Sequence, residues 1–253
     1  EAAIRALSLG AIECVDVTRI LRADGQHDDL VTTVLTAADS KPRVHRKQES
    51  SVAAPDFSWN GKVVVMGAST GGVDALDTVL SNYPAKGPPT VIVQHMAAPF
   101  LKSFTERLDR FLRPRVLAAA DGLELQPGLV CVAPGGGVQI VLAHDDPTRL
   151  RSVMRPGRAD RIPSIDVLFS SAVAHGRDVV GVLLTGMGSD GAEALARMRR
   201  AGAHTIVQDA ATSVVDGMPK AARERGAATE VASLNEIGAR IMAQVSRGRN
   251  SRT

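Results

Sequence analysis

Aromatic residues and cysteines are scarce in this sequence. Only 3% of its 253 residues are Phe, Trp or Tyr, so it lacks the set of stacking rings typical of proteins that bind single-stranded nucleic acid. Its two cysteines, Cys14 and Cys131, match neither a metal-binding spacing nor a Cys-x-x-Cys pattern. We therefore expect a cytoplasmic protein with reduced thiols, no bound metal and no nucleic-acid partner.

The sequence also lacks a long apolar run and a signal peptide, so we expect no membrane insertion. Its composition, 44% hydrophobic and 23% charged, is that of an ordinary globular protein. The formal net charge of +3 is small, and much of the basic excess lies in segments predicted to be solvated. The length suffices for one large α/β domain and part of another.

Four parts of the chain differ in sequence pattern and composition. Residues 1–20 have the pattern of a helix and a short strand, which predicts the end of a larger α/β domain. Residues 21–60 end in a polar, proline-containing and basic segment, which predicts a linker. Residues 61–247 form the regular part, and residues 248–253 are predicted to be a disordered tail.

Within residues 61–247, apolar strand-like segments alternate with amphipathic helical ones. This alternation predicts an α/β fold with a doubly wound, mostly parallel sheet and helices on both faces. Residues 128–154 interrupt the pattern with short strands and turns, and we expect an inserted antiparallel hairpin region there. Ligands bind such sheets at the carboxyl ends of the strands.

The first strand of this domain ends in a candidate nucleophile. Residues 62–72, KVVVMGASTGG, predict a buried strand, a tight turn and a helix. Residues 67–71 spell Gly-x-Ser-x-Gly, the nucleophile-elbow pattern, in which Ser69 is exposed at the top of the sheet. The alternative is a simple helix entry in which Ser69 or Thr70 caps the following helix.

Two further strand ends carry residues that match this serine. His95 follows the second strand, and Asp190 lies in the run TGMGSDG after a later strand. A serine nucleophile needs a base, and that base needs a carboxylate that orients it. The alternatives are a loop histidine without a catalytic role and an aspartate that caps the next helix. All three residues are predicted to lie at the same edge of the sheet.

A phosphate site at the glycine-rich turn is disfavoured. The run GASTGG lacks the lysine of a P-loop and is not Gly-x-Gly-x-x-Gly. The second strand ends in Gln94 and His95, where a dinucleotide site requires an acidic residue for the ribose.

Several segments, taken in order, match the motifs of one family. They are MGASTGG (66–72), VQHM (93–96), IPSIDVLF (162–169), LTGMGSDGA (184–192), QD (208–209) and GMP (217–219). They resemble the catalytic domain of the chemotaxis protein-glutamate methylesterase family, CheB, over roughly residues 61–245.

By this resemblance Ser69 is the nucleophile, His95 is the general base and Asp190 is its orienting partner. The position of Met187 is the one whose backbone N–H helps to build the oxyanion hole in that family. Thr70 follows the nucleophile and is a second candidate donor. The fold of the family, a doubly wound parallel sheet with an inserted hairpin, agrees with the predicted strand pattern.

The resemblance implies a serine hydrolase that removes methyl esters from glutamate side chains of chemoreceptors and also deamidates receptor glutamines, without a metal or organic cofactor. Its expected substrate partners are the cytoplasmic helices of a methyl-accepting receptor. Two alternatives stay open. One is a catalytically silent regulatory or binding module with the CheB fold, and the other is a general cytoplasmic carboxylesterase.

Residues 1–20 are similar to the last helix and strand of the receiver domain that precedes the catalytic domain in this family. Val17 and Thr18 stand where the usual Lys-Pro ending falls. The phosphate-accepting aspartate is expected upstream of this chain. A histidine kinase is expected to act through the full receiver domain.

Overall fold

A computed structural model describes residues 57–154 and 163–247 of the chain. It also describes eight earlier positions: Ala6, Ala11, Ile12, Val31, Val34, Leu35, Ala37 and Ala38. Apart from these positions and residues 57–60, the predicted receiver remnant and linker lie outside the described residues, as does the predicted tail.

Residues 57–154 and 163–247 form nine strands and six α-helices. The strands are Val63–Ala68 (β1), Thr90–Gln94 (β2), Arg115–Ala118 (β3), Leu129–Val132 (β4), Val138–Leu142 (β5), Leu150–Met154 (β6), Val179–Leu183 (β7), His204–Gln208 (β8) and Glu230–Ala232 (β9). The helices are Gly72–Leu80 (α1), Ala98–Phe111 (α2), Ile165–Ala172 (α3), Ala192–Arg200 (α4), Gly217–Glu224 (α5) and Leu234–Val245 (α6). A 3-10 helix, Val173–Asp178, follows α3.

Seven strands form one sheet in the order β3-β4-β2-β1-β7-β8-β9, and every neighbouring pair in it is parallel. All six residues of the central strand β1 are buried, as expected for a parallel strand covered on both faces. The side chains of Val64 and Met66 lie in one apolar cluster, and those of Val63 and Val65 lie in another. The sheet therefore has a separate core on each face.

Helices cover both faces of the sheet. The cluster that contains Met66 also includes buried residues of α1, α2 and α6. The other cluster includes buried residues of α3, α4 and α5, together with Ile140 and Leu150 of the β5–β6 hairpin. This arrangement confirms the predicted doubly wound α/β fold with an inserted antiparallel hairpin.

One strand differs from its predicted pairing. Residues 128–132 were expected within the hairpin region, yet β4 is parallel to both of its neighbours, β2 and β3. The reason is the composition of β4, LVCV, because all four residues are apolar and buried and such a run suits a strand covered on both faces. Only β5 and β6 pair in the antiparallel sense among the named strands. The short edge strand β9 has no counterpart in the sequence prediction.

The two ends of the described domain are joined. The backbone N–H of Asn60 donates to the carbonyl of Val245 at 3.0 Å, and that of Arg247 donates to the carbonyl of Ser58 at 2.8 Å. Trp59 and Ser246 form an antiparallel bridge between these bonds. Residues 58–60 thus belong structurally with α6. No helix in the described part of the chain has the length and hydropathy that crossing a bilayer requires.

Candidate active site

Three loops meet at the carboxyl edge of the sheet. Ser69 follows β1, His95 follows β2, and residues 184–191 follow β7. Strand β1 lies between β2 and β7, and all three run in the same direction. The prediction that the three segments share one edge is therefore confirmed. The chain leaves β1 toward β2 on one side and returns to β7 on the other, which is where ligands bind in doubly wound sheets.

The turn that carries Ser69 is tight and is held from both sides. The carbonyl of Ser69 accepts from the N–H of Gly72 at 2.7 Å, and the N–H of Ser69 donates to the carbonyl of Thr185 at 3.0 Å. The N-cap of α1 is Gly71, with a φ of 77° in the left-handed region. The alternative in which Ser69 or Thr70 is the N-cap of this helix is therefore wrong.

The loop after β7 lies directly against the serine. A Cβ added to Gly186 would lie 2.6 Å from the Cβ of Ser69, so only glycine permits this approach. The loop is anchored by α5, because the N–H of Met218 donates to the carbonyl of Gly186 at 2.8 Å. Met187, whose backbone N–H is a predicted oxyanion donor, is therefore the residue next to the one that touches Ser69.

His95 and Asp190 are hydrogen-bonded. Nε2 of His95 lies 2.7 Å from Oδ2 of Asp190, and their side chains are 25% and 18% exposed. An ionised carboxylate only accepts, so Nε2 carries the proton and donates it to this bond. In the neutral ring Nδ1 then carries no proton. Nδ1 is consequently the nitrogen that can accept one.

Asp190 is held by a second element as well. Its carboxylate accepts from the backbone N–H groups of Ile165 and Asp166, each at 2.9 Å, at the N-terminus of α3. Burial raises the pKa of Asp190, but the hydrogen bond to His95, the charge of His95 and these two N–H groups outweigh burial and lower the pKa to about 2. Asp190 therefore stays ionised. The N-cap of its own helix, α4, is Gly191, so Asp190 caps α3 instead of the helix it precedes.

Asp166, in the first turn of α3, forms a matching hydrogen bond with the first turn of α4. Its Oδ1 accepts from the N–H of Ala194, in the first turn of α4, at 3.3 Å. Burial and then the charge of Asp190 raise the pKa of Asp166. The N-terminus of α3 thus binds the carboxylate of Asp190 from the loop before α4, and the N-terminus of α4 binds the carboxylate of Asp166 from α3. These reciprocal hydrogen bonds position Asp190.

Thr185, in the loop after β7, is hydrogen-bonded to the loops after β1 and β8. It is fully buried, and its hydroxyl lies 3.0 Å from the carbonyl of Thr70, to which it donates. The same hydroxyl accepts from the N–H of Val215 at 2.9 Å, and the N–H of Thr185 donates to Oε1 of Gln208 at 2.8 Å. Sequence reasoning gave Thr185 and Gln208 no role. Both lie at or just after the end of an apolar strand, in the segments LTGMGSDGA and QD that match the family motifs.

A cleft opens beside Ser69. Its lining includes Gly72, Gln94 and Met96, together with Ala11 and Ile12 from the N-terminal part of the chain. Among the described residues, no cluster of three or more His, Cys, Asp or Glu side chains is arranged to hold a metal ion.

Comparison with known proteins identifies the family. The sequence model described as CheB methylesterase matches residues 64–241, which include all three loops of the site. The chain belongs to the CheB methylesterase family.

Curated relatives are similar over nearly the whole chain. The protein-glutamate methylesterase/protein-glutamine glutaminase 1 of Caulobacter vibrioides is 43% identical over 250 residues, which are 96% of this chain and 72% of the relative. The protein-glutamate methylesterase/protein-glutamine glutaminase of Bordetella pertussis is 41% identical over 254 residues, 97% of this chain and 72% of the relative.

A solved structure has the same fold. The crystal structure of the Thermotoga maritima CheB methylesterase catalytic domain has a TM-score of 0.67 and 34% identity, and the match covers 73% of this chain and 99% of that one. The regular domain of this CheB-family chain is therefore similar to a catalytic domain that was crystallised on its own. Ser69, Thr70, His95, Met187 and Asp190 all fall within the residues that the family model matches.

Proposed function

We propose that this chain is a protein-glutamate methylesterase that uses Ser69, His95 and Asp190 as a catalytic triad, and that it also deamidates glutamine side chains. The observation that carries this proposal is the 2.7 Å hydrogen bond between His95 and Asp190. His95 follows β2, which is adjacent to β1, the strand that Ser69 follows. The relatives named above are methylesterases and glutaminases, which supports the same two reactions here.

The proposed reaction begins with proton transfer from Ser69 to His95. Nδ1 accepts the proton of the Ser69 hydroxyl while Oγ attacks the carbonyl carbon of the ester. Asp190 holds the ring and stabilises the imidazolium that forms. The C–O bond to the methoxy group then breaks, and methanol leaves with the proton from His95.

Backbone N–H groups are the proposed donors to the oxyanion. The N–H of Ser69 itself donates to Thr185, so we assign the donors to the backbone of Thr70 and Met187. In comparable sites one such donor contributes roughly 3–4 kcal/mol to transition-state stabilisation. Gly186 against Ser69 places the Met187 segment next to the nucleophile.

Hydrolysis of the acyl-enzyme completes the cycle. His95 takes a proton from water, the resulting hydroxide attacks the acyl carbon, and Ser69 leaves with the proton. With a glutamine side chain the same sequence releases ammonia and leaves glutamate. The proposed scheme uses no metal and no organic cofactor.

The proposed substrates are glutamate methyl esters on the cytoplasmic helices of methyl-accepting chemoreceptors, which places the enzyme in the cytoplasm. We further propose that residues 61–247 form the catalytic domain and that residues 1–20 are the end of a receiver domain. A histidine kinase would regulate the enzyme through the complete receiver. This part of the proposal derives from the sequence motifs and the family.

The test is methanol release from methyl-labelled receptor membranes by the full chain, by Ser69→Ala and by His95→Gln. We expect release by the unchanged chain and a loss of roughly 10⁴-fold or more in each variant, because removal of either member of such a pair abolishes most of the chemistry. Thermal unfolding should show that both variants are folded.

Other outcomes favour the alternatives. Hydrolysis of many small esters at rates that exceed receptor demethylation would favour a general carboxylesterase. Absence of release, together with failure of Ser69 to react with a fluorophosphonate probe, would favour a silent regulatory module. Deamidation is measured separately by the 1 Da mass increase of receptor peptides that contain glutamine.

A further inference from the structure

Gln94 is a buried polar residue at the carboxyl end of an apolar strand. It is the last residue of β2, and as a residue it is 2% exposed. It follows the fully or almost fully buried Val91, Ile92 and Val93. A buried amide costs free energy unless its polar atoms are hydrogen-bonded. The bonds that this side chain makes therefore determine what it contributes.

The amide nitrogen of Gln94 connects the two candidate catalytic loops. Nε2 donates to the carbonyl of Ser69 at 2.9 Å and to the carbonyl of His95 at 3.2 Å. An amide NH₂ group has two protons, so one proton is available for each carbonyl. A single side chain thus binds the backbone of both the nucleophile and the base.

This connection begins where the sheet ends. The last backbone hydrogen bond between the two loops runs from the N–H of His95 to the carbonyl of Ala68 at 3.0 Å. The Gln94 amide extends the contact by one residue beyond this bond. Without it, the carbonyls of Ser69 and His95 lose their common donor.

The amide oxygen of Gln94, in contrast, makes no hydrogen bond within the described part of the chain. This oxygen, Oε1, is buried. It lies over Gly72, where an added Cβ would overlap it. A buried acceptor without a partner costs about 1–3 kcal/mol. The unpaired Oε1 of Gln94 therefore makes the amide unfavourable for stability. The contribution of the amide lies in the two carbonyls that Nε2 binds.

We propose that Gln94 is a positioning residue for the esterase reaction, which sets the separation of Ser69 and His95 through their backbone carbonyls. This inference rests on the proposed function, because it assumes that these two residues react. Gln94 also lines the cleft beside Ser69, but in this scheme it acts through the backbone of Ser69 and His95. Its loss is expected to reduce kcat more than it changes KM, since misplacement of reacting groups by about 1 Å lowers rates by about 10²-fold.

The test compares Gln94→Met with Thr90→Val in the full chain. Methionine has a similar length and lacks the NH₂ donor. Thr90 is fully buried at the opposite end of the same strand, and its hydroxyl donates to the carbonyl of Pro88 at 3.0 Å. Thr90→Val therefore also removes a buried hydrogen bond from β2, but away from the site.

We expect Gln94→Met to lower kcat for methanol release by about 10- to 100-fold with KM changed less than about twofold. Thr90→Val should leave both constants unchanged, although it also removes a buried hydrogen bond from β2. Gln94→Glu serves as a second variant. It places an oxygen where the donor was, so it should be at least as slow as Gln94→Met.

The rate at which a fluorophosphonate labels Ser69 provides a readout that does not need the receptor. Labelling should slow in both Gln94 variants and not in Thr90→Val. Unchanged kcat and labelling in a folded Gln94 variant would overturn the inference, as would an equal loss in Thr90→Val.

The two proposals fail differently. If the unchanged chain reacts with the probe at a rate that depends on Gln94, yet releases no methanol, the proposed substrate is wrong and the positioning role stands. If it neither reacts with the probe nor releases methanol, both proposals are overturned.

Discussion

At the scale of single residues, the carboxylate of Asp190 is held in its ionised form by several hydrogen bonds. One of its oxygens faces His95, and two backbone N–H groups of α3 donate to the carboxylate. Burial alone would favour the protonated form, but these partners bind the ionised form and lower the pKa from the ordinary 3.8 to about 2. The same interactions that orient the base therefore also stabilise the fold.

This pKa shift makes a prediction about acid stability. A carboxylate whose pKa is lower in the folded state stabilises the fold above the unfolded pKa, and this contribution is lost as pH falls toward the folded pKa. For Asp190 the contribution is about 2 kcal/mol above pH 4 and disappears between about pH 4 and pH 2. Asp190→Asn should lower the free energy of unfolding by about this amount at pH 6.

The measurement is urea unfolding of both proteins between pH 6 and pH 2.5. The difference in unfolding free energy should shrink as pH falls through that window. A difference that stays constant with pH would mean that the lost stability comes from packing or neutral hydrogen bonds and not from the charge of Asp190.

At the scale of elements, the N-termini of α3 and α4 meet beside the end of β1. The side chain of Ile165, the first residue of α3, fills the space that a Cβ would occupy on both Gly67 of β1 and Gly191 before α4. Gly191 also has a φ of 85°. A substitution at this glycine therefore disturbs the junction in two ways, through backbone strain and through overlap with Ile165.

We expect Gly191→Ala to destabilise the protein by about 2–5 kcal/mol, from about 1–2 kcal/mol of left-handed strain and about 1–3 kcal/mol of overpacking. Gly122→Ala is the matched control, because Gly122 has a φ of 71° and no atom within 4 Å of an added Cβ. It should cost the strain alone.

Chemical denaturation measures both stabilities, and methanol release reports on the site. Gly191→Ala should lower kcat because it displaces the neighbouring Asp190, whereas Gly122→Ala should not. Equal costs in the two variants would show that Ile165 yields to the new methyl group.

At the scale of the whole molecule, residues 57–60 close the domain. Phe57 packs against the core that contains Met66, and Nδ2 of Asn60 donates to the carbonyl of Gln244 at 2.9 Å. With the backbone bonds of Asn60 and Arg247, these contacts join the segment before β1 to the end of α6.

We expect a chain that starts at Phe57 to fold and to release methanol, since the site lies within the described residues after this point. A chain that starts at Gly61 lacks three hydrogen bonds between these ends, each contributing about 0.5–1.5 kcal/mol. Its melting temperature should be lower by roughly 5–10 °C. Equal melting temperatures, measured by circular dichroism, would place the boundary of the stable domain at residue 61, where the sequence predicts it.

Much of this architecture was predictable from local pattern. The alternation of strand and helix signals gives a doubly wound sheet, because each buried parallel strand needs apolar residues and each crossover needs a helix. Ser69, His95 and Asp190 stand out as polar residues at strand ends. Their chemical types suffice to predict a nucleophile, a base and a carboxylate, and the family motifs suffice to predict the reaction.

Tertiary structure alone decided which groups support them. The sequence places β4 in a hairpin region, whereas the sheet places it between β2 and β3. It offers Asp190 as a cap for its own helix, whereas the fold presents it to α3. The bond of Gln94 to the carbonyl of Ser69 depends on β1 and β2 being neighbours. Local pattern indicates most of the buried residues and most of the strands, with β9 as an exception, but the partner of a buried polar group is set by contacts between residues distant along the chain.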